Sequence, residues 1–379
     1  MAENPNTPTW VARVFRGDKV LWITAAVLAV ISVLVVYSST AKMAYASTGI
    51  RTSGHFLRDQ ILILILSVMA LLVVHRINSR YYNALSRWVY FLFLGLTVVV
   101  YFIGTTTNGA ARWIPLMGFN LQPSEGLKVA TILFLARQLA SRQNGIDKLR
   151  LVSSINPFRW REKEQRKIWQ EGTWPLLMPM VTSCLVIFPA HTSSAVLVFC
   201  TSLVMMLIGR VQIRELLKII GLAVVGVVLI MSLNLGRSAT AEGRVSTWLT
   251  LWSEDRTEIP VEELTDTERS MIAIHDGGIM GKGAGQSAMR VEMTHPESDY
   301  AYAFFVEEYG IILAILLLML YLWIFFRAIL IFERCGTAFP GLLVLGLALL
   351  ITTQALLHIM VTINLIPETG QTLPLISRG

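Results

Sequence analysis

Apolar residues run along this chain in long blocks, with no alternation of the kind that marks a half-buried strand. A hydrocarbon layer of ~30 Å takes about 20 apolar residues as helix. Eight blocks suit that length: 20–37, 57–74, 88–104, 174–188, 195–208, 216–235, 301–326 and 339–363. A ninth block, 122–140, carries Glu125, Lys128 and Arg137 and is the weakest by hydropathy. The pattern predicts an all-α polytopic membrane protein with nine transmembrane helices. Only Pro189, Ala190, His191 and Thr192 stand near the junction of the fifth and sixth blocks, so a tight turn is expected there.

Composition supports this picture. Of 379 residues, 54% are hydrophobic and 15% charged, and the mean hydropathy is +0.59. Soluble domains carry about 25% charged residues, so a soluble enzyme, a disordered chain and a disulfide scaffold are all excluded. Cys184, Cys200 and Cys335 form no C-x-x-C pair, and the six histidines are scattered, so no metal-ligand set is read. The first residues show no signal-peptide cleavage pattern, which makes the first block a retained span.

The formal charge of +7 would suggest nucleic acid in a soluble protein, but here its position matters more. Arg13, Arg16 and Lys19 precede the first block, and Arg76, Arg80 and Arg87 lie between the second and third. Eight Lys or Arg residues lie between 141 and 172. Arg210, Arg214 and Lys218 follow the sixth block, and Arg327 and Arg334 the eighth. If 122–140 also crosses, all of these share one side, which places the N-terminus in the cytoplasm. The other side receives one large loop, 236–300, with six basic and twelve acidic residues, a net charge of −6. The stretch from Gly277 to Ser287 is dense in glycine and must turn tightly. Short helices are expected within 261–274. The chain closes on a turn-rich outer tail ending at Gly379.

Three places carry candidate chemistry. Arg112-Trp113, on the outer side after the third block, suits either an anionic headgroup or an interfacial anchor. Glu125 and Lys128, three apart, share a helix face behind Pro123 at a first-turn position. They form either a polar site at membrane depth or an ion pair that fixes packing. Asp299, just before the eighth block, suits a helix N-cap or a general base. Glu307 and Glu308 lie two turns further on and need a polar cavity or a cation, for which Lys128 and Arg112 are candidates. His191, Gln354, His358 and Asn364 read as interhelical hydrogen-bonding groups.

Together, NGAARWI (108–114), QPSEGLK (122–128), GKGAGQS (281–287), Ser298-Asp299-Tyr300, Glu307-Glu308-Tyr309-Gly310 and PETGQTLPLISRG (367–379) resemble the SEDS family of shape, elongation, division and sporulation proteins. These are the peptidoglycan glycosyltransferases FtsW and RodA, and the division branch, FtsW, is the nearer. The resemblance covers most of the chain. It implies one transmembrane domain over 1–379, with 236–300 as an extracytoplasmic loop between spans 7 and 8, and ten spans where this sequence shows nine. It also implies polymerisation of lipid II at the outer face of the bacterial cytoplasmic membrane, at the division septum. Asp299 falls on the family's essential aspartate. Gly285, Ser287, Glu307, Glu308 and Gly310 fall on its glycine and EE-G patterns, and Arg112, Glu125 and Lys128 on its NGA-RW and QPSE--K motifs.

Undecaprenyl pyrophosphate would be the leaving group and needs cationic stabilisation. Arg112 and Lys128 are the candidates, Arg244 a further one, and a divalent cation the candidate cofactor. The expected partners are the undecaprenyl-pyrophosphate-linked glycan, a class B penicillin-binding transpeptidase and other divisome proteins, with no nucleic acid. Ser298 and Tyr300 replace the family's Thr and Phe around the aspartate. His191-Thr192-Ser193-Ser194-Ala195 stands where many members have Asp-Leu-Gly-Thr-Ala, so that aspartate has no counterpart here. Lipid II flipping and a non-catalytic division scaffold are the alternative functions.

Overall fold

The computed structural model describes residues 15, 17–39, 53–107, 110–116, 119–146, 168–232, 238–253, 264–288, 292–293 and 298–377. The expected basic stretch at 147–167 and residues 254–263 and 294–297 lie outside them. Helices in chain order are α1 (Lys19–Ser39), α2 (Ser53–Val74), α3 (Ser79–Ile103), α4 (Pro123–Ser141), α5 (Trp174–Ile187), α6 (Thr192–Ile208), α7 (Ile213–Ser232), α8 (Ser238–Ser253), α9 (Asp266–Gly277), α10 (Ala301–Arg334) and α11 (Ala338–Thr362). All except α8 and α9 coincide with a predicted span. By length and apolarity α1, α3, α10 and α11 suffice to cross a membrane. Helix α5 has only 14 residues but continues a π-helical turn, Ile168–Thr173.

One expectation needs amendment and two are sharpened. The chain is not purely helical, because β1 (Thr105–Thr107), β2 (Ala110–Leu116) and β3 (Phe119–Leu121) form an antiparallel sheet between α3 and α4. Thr107 pairs with Ala110 and Leu116 with Phe119. An Asn-Gly step between β-formers is a strong hairpin signal, and hydropathy blocks do not register it. Within 236–300, α9 supplies the short helix expected inside 261–274, opening with a capping box of Thr265 and Glu268, and α8 is a further helix that was not predicted. The turn-rich tail is packed, with Gln371, Leu373 and Ile376 buried.

The chain forms two compact units. One comprises Ser79–Ser246 and Ala328–Thr353. Its centre is a cluster of Tyr90, Leu127, Phe134, Ile187 and Val198 from α3, α4, α5 and α6. A Cβ at Gly126 would lie 2.1 Å from the Phe93 ring, so the absence of a side chain lets α4 approach α3. Hydroxyls are buried in this core. Thr131 Oγ1 and Ser183 Oγ are 2.7 Å apart, and the Tyr90 hydroxyl lies 3.3 Å from Ser183 Oγ. Phe102 (83% exposed), Leu185 and Val225 instead face outward. Apolar side chains outside and hydrogen-bonded hydroxyls inside suit a lipid surround, where helix pairs gain from polar contacts. His191 caps α6, its Nδ1 accepting from Ser194 N–H at 3.3 Å, and so makes the expected turn.

The other unit comprises Met1–Asn78, Thr247–Arg327 and Gln354–Gly379. Gln60 of α2 donates to Ser32 of α1 at 3.1 Å. Asp18 accepts from the Val20 N–H at 2.8 Å and also takes the Arg327 guanidinium, tying the start of α1 to α10. Burial works to raise the Asp18 pKa, but the Arg327 bond and the backbone N–H donors outweigh it and hold the carboxyl below its usual range.

Candidate active site

The site is built on a break in α10. Gly310 has φ +82°, outside the helical region. In an unbroken helix the Ile311 N–H would donate to the Glu307 carbonyl. Here it donates to the Gly278 carbonyl at 3.0 Å, and the Glu307 carbonyl accepts from Lys282 N–H at 2.9 Å. The Glu308 carbonyl likewise accepts from Gly283 N–H at 2.9 Å. The glycine-dense loop thus replaces the hydrogen bonds that the break removes. Backbone must approach backbone for this. A Cβ at Gly277, Gly281 or Gly310 would stand 2.3 Å from a carbonyl oxygen of Val306, Glu308 or Ile279 respectively.

This exchange carries two carboxylates into a buried position. Glu307 is 0% and Glu308 1% exposed. Glu307 accepts from Lys282 Nζ at 3.0 Å, from Ala288 N–H at 2.9 Å and from the Ser287 hydroxyl. Glu308 accepts from the Ser38 hydroxyl of α1 at 2.5 Å and from Gly285 N–H at 2.8 Å. Lys282 also reaches Asp276 Oδ2 of α9 at 2.7 Å. The Asp276 hydrogen bond, then that of Glu307, raise the Lys282 pKa against some desolvation. The cation of Glu307 is therefore Lys282, where Lys128 or Arg112 was expected. Lys282 is nearby only because the loop folds back. Its ammonium already bridges Asp276 and Glu307, so this cluster's donor set does not fit a divalent cation.

Asp299 is half-buried in the turn 298–300, ahead of α10. The Ser298 hydroxyl donates to its Oδ1 at 3.3 Å. Both flanking residues are tied to the end of the chain. Ser377 donates to the Ser298 carbonyl at 3.0 Å, and the Tyr300 hydroxyl donates to Glu368 Oε1 at 2.8 Å. Burial first, then the Glu368 charge, pushes the Tyr300 pKa up, so the phenol remains a donor. His358 Nδ1 meets the Gln371 carbonyl at 2.7 Å, and Gln354 donates to the Thr372 carbonyl at 3.1 Å. Both bonds run from α11 to the non-helical segment after it, where bonds between helices were expected; His358 Nε2 also accepts from the Tyr302 N–H of α10 at 3.4 Å.

The remaining expected residues belong to the first unit described. Glu125 and Lys128 pair at 2.7 Å, and Lys128 is 1% exposed. Pro123 stands in the first turn of α4, with Gln122 as its N-cap. Arg112 lies in β2, its side chain outside the described residues, and Arg244 lies in α8. Asp276, Lys282, Ser38 and Glu368 were not singled out from sequence. The signal for Lys282 was its place inside the glycine run, where loop backbone and side chain are presented together.

Residues 18–379 match the model of the FtsW/RodA/SpoVE family, described as cell cycle protein. The "Probable peptidoglycan glycosyltransferase FtsW" of Aliivibrio salmonicida is 27% identical over 97% of this chain and 85% of that protein. Stage V sporulation protein E of Bacillus subtilis is 28% identical over 96% of this chain and 92% of its own. A chain from a structure on coordination of polymerization and crosslinking by a peptidoglycan synthase complex superposes with TM-score 0.69 at 19% identity, covering 96% of this chain and 93% of that one. The rod shape determining protein RodA of Thermus thermophilus superposes with TM-score 0.60 at 18% identity, covering 98% and 92%. Both structures speak to the fold.

Proposed function

Because the chain belongs to the FtsW/RodA/SpoVE family of cell cycle proteins, we propose that it is a peptidoglycan glycosyltransferase of the division type. It polymerises lipid II into glycan strands at the outer face of the cytoplasmic membrane, with all nine helices that match predicted spans crossing and the N-terminus inside. Its partners are a class B penicillin-binding transpeptidase and other divisome proteins.

The observation that carries the site reading is the position of Asp299: a half-buried carboxylate in a pinned turn at the head of an apolar helix. Asp299 takes the proton of the acceptor GlcNAc 4-hydroxyl as that oxygen attacks the anomeric carbon of the lipid-linked donor. The new glycosidic C–O bond forms as the anomeric bond to phosphate breaks. Undecaprenyl pyrophosphate then leaves with the bonding electron pair. Arg112, Lys128 and Arg244 are proposed from their charge and motif positions as cations for that leaving group. Ser287, Glu307 and Glu308 are proposed to shape the substrate site through the loop fold.

The test is glycan polymerisation from purified lipid II by the full chain with its transpeptidase. Asp299→Asn should lower turnover by about 10²–10⁴-fold, the usual contribution of a general base. Substantial polymerisation by that variant would overturn the assignment.

A further inference from the structure

The residues on either side of Asp299 are both held by the segment that follows α11. On its N-terminal side the Ser298 carbonyl accepts from the Ser377 hydroxyl at 3.0 Å, and Ser377 Oγ itself accepts from Leu373 N–H at 2.9 Å. On its C-terminal side the Tyr300 hydroxyl donates to Glu368 Oε1 at 2.8 Å. The same oxygen accepts from the Thr267 hydroxyl of α9 at 2.6 Å. Thr267 and Tyr300 are 4% and 5% exposed, and their hydroxyl oxygens are 3.1 Å apart. The segment that supplies Glu368 is itself anchored. Ser270 donates to the Thr362 carbonyl at 2.8 Å, Ser32 to the Ile376 carbonyl at 3.2 Å, and the Tyr321 hydroxyl to the Pro374 carbonyl.

We propose that Glu368 is a positioning residue for Asp299: one carboxylate oxygen, shared by Tyr300 and Thr267, fixes the turn that aims the Asp299 carboxylate. The physical case is geometric. A residue in a three-residue turn keeps its direction only if the turn cannot rotate, and Tyr300 is the hinge between that turn and α10. A phenol with its donor satisfied by a charged acceptor is a strong restraint. Without the Glu368 carboxylate, Tyr300 is left with the neutral Thr267 hydroxyl at 3.1 Å, a weaker restraint than a charged acceptor. This inference rests on the reading of Asp299 as the base. A catalytic group misplaced by about 1 Å can cost on the order of 100-fold in rate.

The experiment is a double-mutant cycle on the full chain with its transpeptidase, using purified lipid II as substrate. Tyr300→Phe and Glu368→Ala are each expected to lower kcat by about 10–100-fold with KM within about twofold. The double variant should be no slower than the slower single one, since both break one link. Glu368→Gln, which keeps an acceptor oxygen, should recover most of the rate. Tyr300→Phe removes a single oxygen and keeps the ring, so it tests the proposal even where Glu368→Ala fails to reach the membrane. Full turnover by Tyr300→Phe, or multiplied losses in the double variant, would overturn the proposal. Failure of the underlying reading is seen separately, as polymerisation by Asp299→Asn. An inactive Asp299→Asn beside a fully active Tyr300→Phe refutes the positioning role alone.

Discussion

At the scale of single residues, Lys282 shows how a side chain's role depends on what its backbone does. Its N–H completes the hydrogen bonding of the broken helix, while its ammonium neutralises Glu307, a carboxylate with no exposure. Lys282→Met should destabilise the protein by about 1–3 kcal/mol, the range for leaving a buried polar group short of a partner. The thermal midpoint in detergent measures it. The pH dependence has a definite sign. The Lys282 pKa is raised in the folded state, so its contribution is fully present below the unfolded value of about 10.4 and is lost as pH rises through the folded one. The gap between wild type and Lys282→Met should therefore stay constant from neutral pH to about 10 and narrow above it. A gap unchanged at higher pH would mean that the bridge to Asp276 and Glu307 contributes nothing. Glu307 and Glu308 were legible in sequence as costly acids within a span. Their partners were not, because Lys282 and Ser38 are 25 and 270 positions away from them.

At the scale of elements, the broken α10 and the 277–288 loop are one structure made of two strands of sequence. Neither half is stable as drawn without the other, since each supplies donors or acceptors that the other lacks. Gly310→Ala should therefore be far more damaging than a glycine change in a regular helix. Its φ of +82° with ψ of 168° is a region kept almost wholly by glycine, at about 1–3 kcal/mol for any other residue. The added methyl would also meet the Ile279 carbonyl at 2.3 Å. Gly95→Ala in α3, with nothing within 4 Å of the new carbon, should instead be neutral or mildly stabilising, by up to about 1 kcal/mol. Yield of detergent-stable protein and thermal midpoint compare the two, and equal effects would contradict the loop-for-helix exchange. The run of glycines announced a tight turn. That the turn lies against α10, with Gly277 and Gly281 so near the carbonyls of residues 306 and 308 that a Cβ would clash, was not readable from the run itself.

At the scale of the whole molecule, the clearest prediction concerns orientation. With Cys184, Cys200 and Cys335 replaced by Ser, single cysteines at Gln143 and Ser253 should label differently in intact spheroplasts. A membrane-impermeant thiol reagent should reach position 253 and spare position 143 until the membrane is opened. Labelling of both, or of 143 alone, would refute the nine-span count or the placement of the N-terminus. That count came from sequence alone, because spanning a bilayer depends on consecutive residues and on the Lys and Arg that flank them. The same local logic brought out Asp299, Glu125 and Lys128, whose motifs are short. What the sequence could not decide were contacts between segments far apart along the chain: the helix break completed by a loop, and residues 363–377 folded back so that Glu368 meets Tyr300. Each depends on backbone groups finding partners where water is excluded, and those partners exist only once the helices have packed.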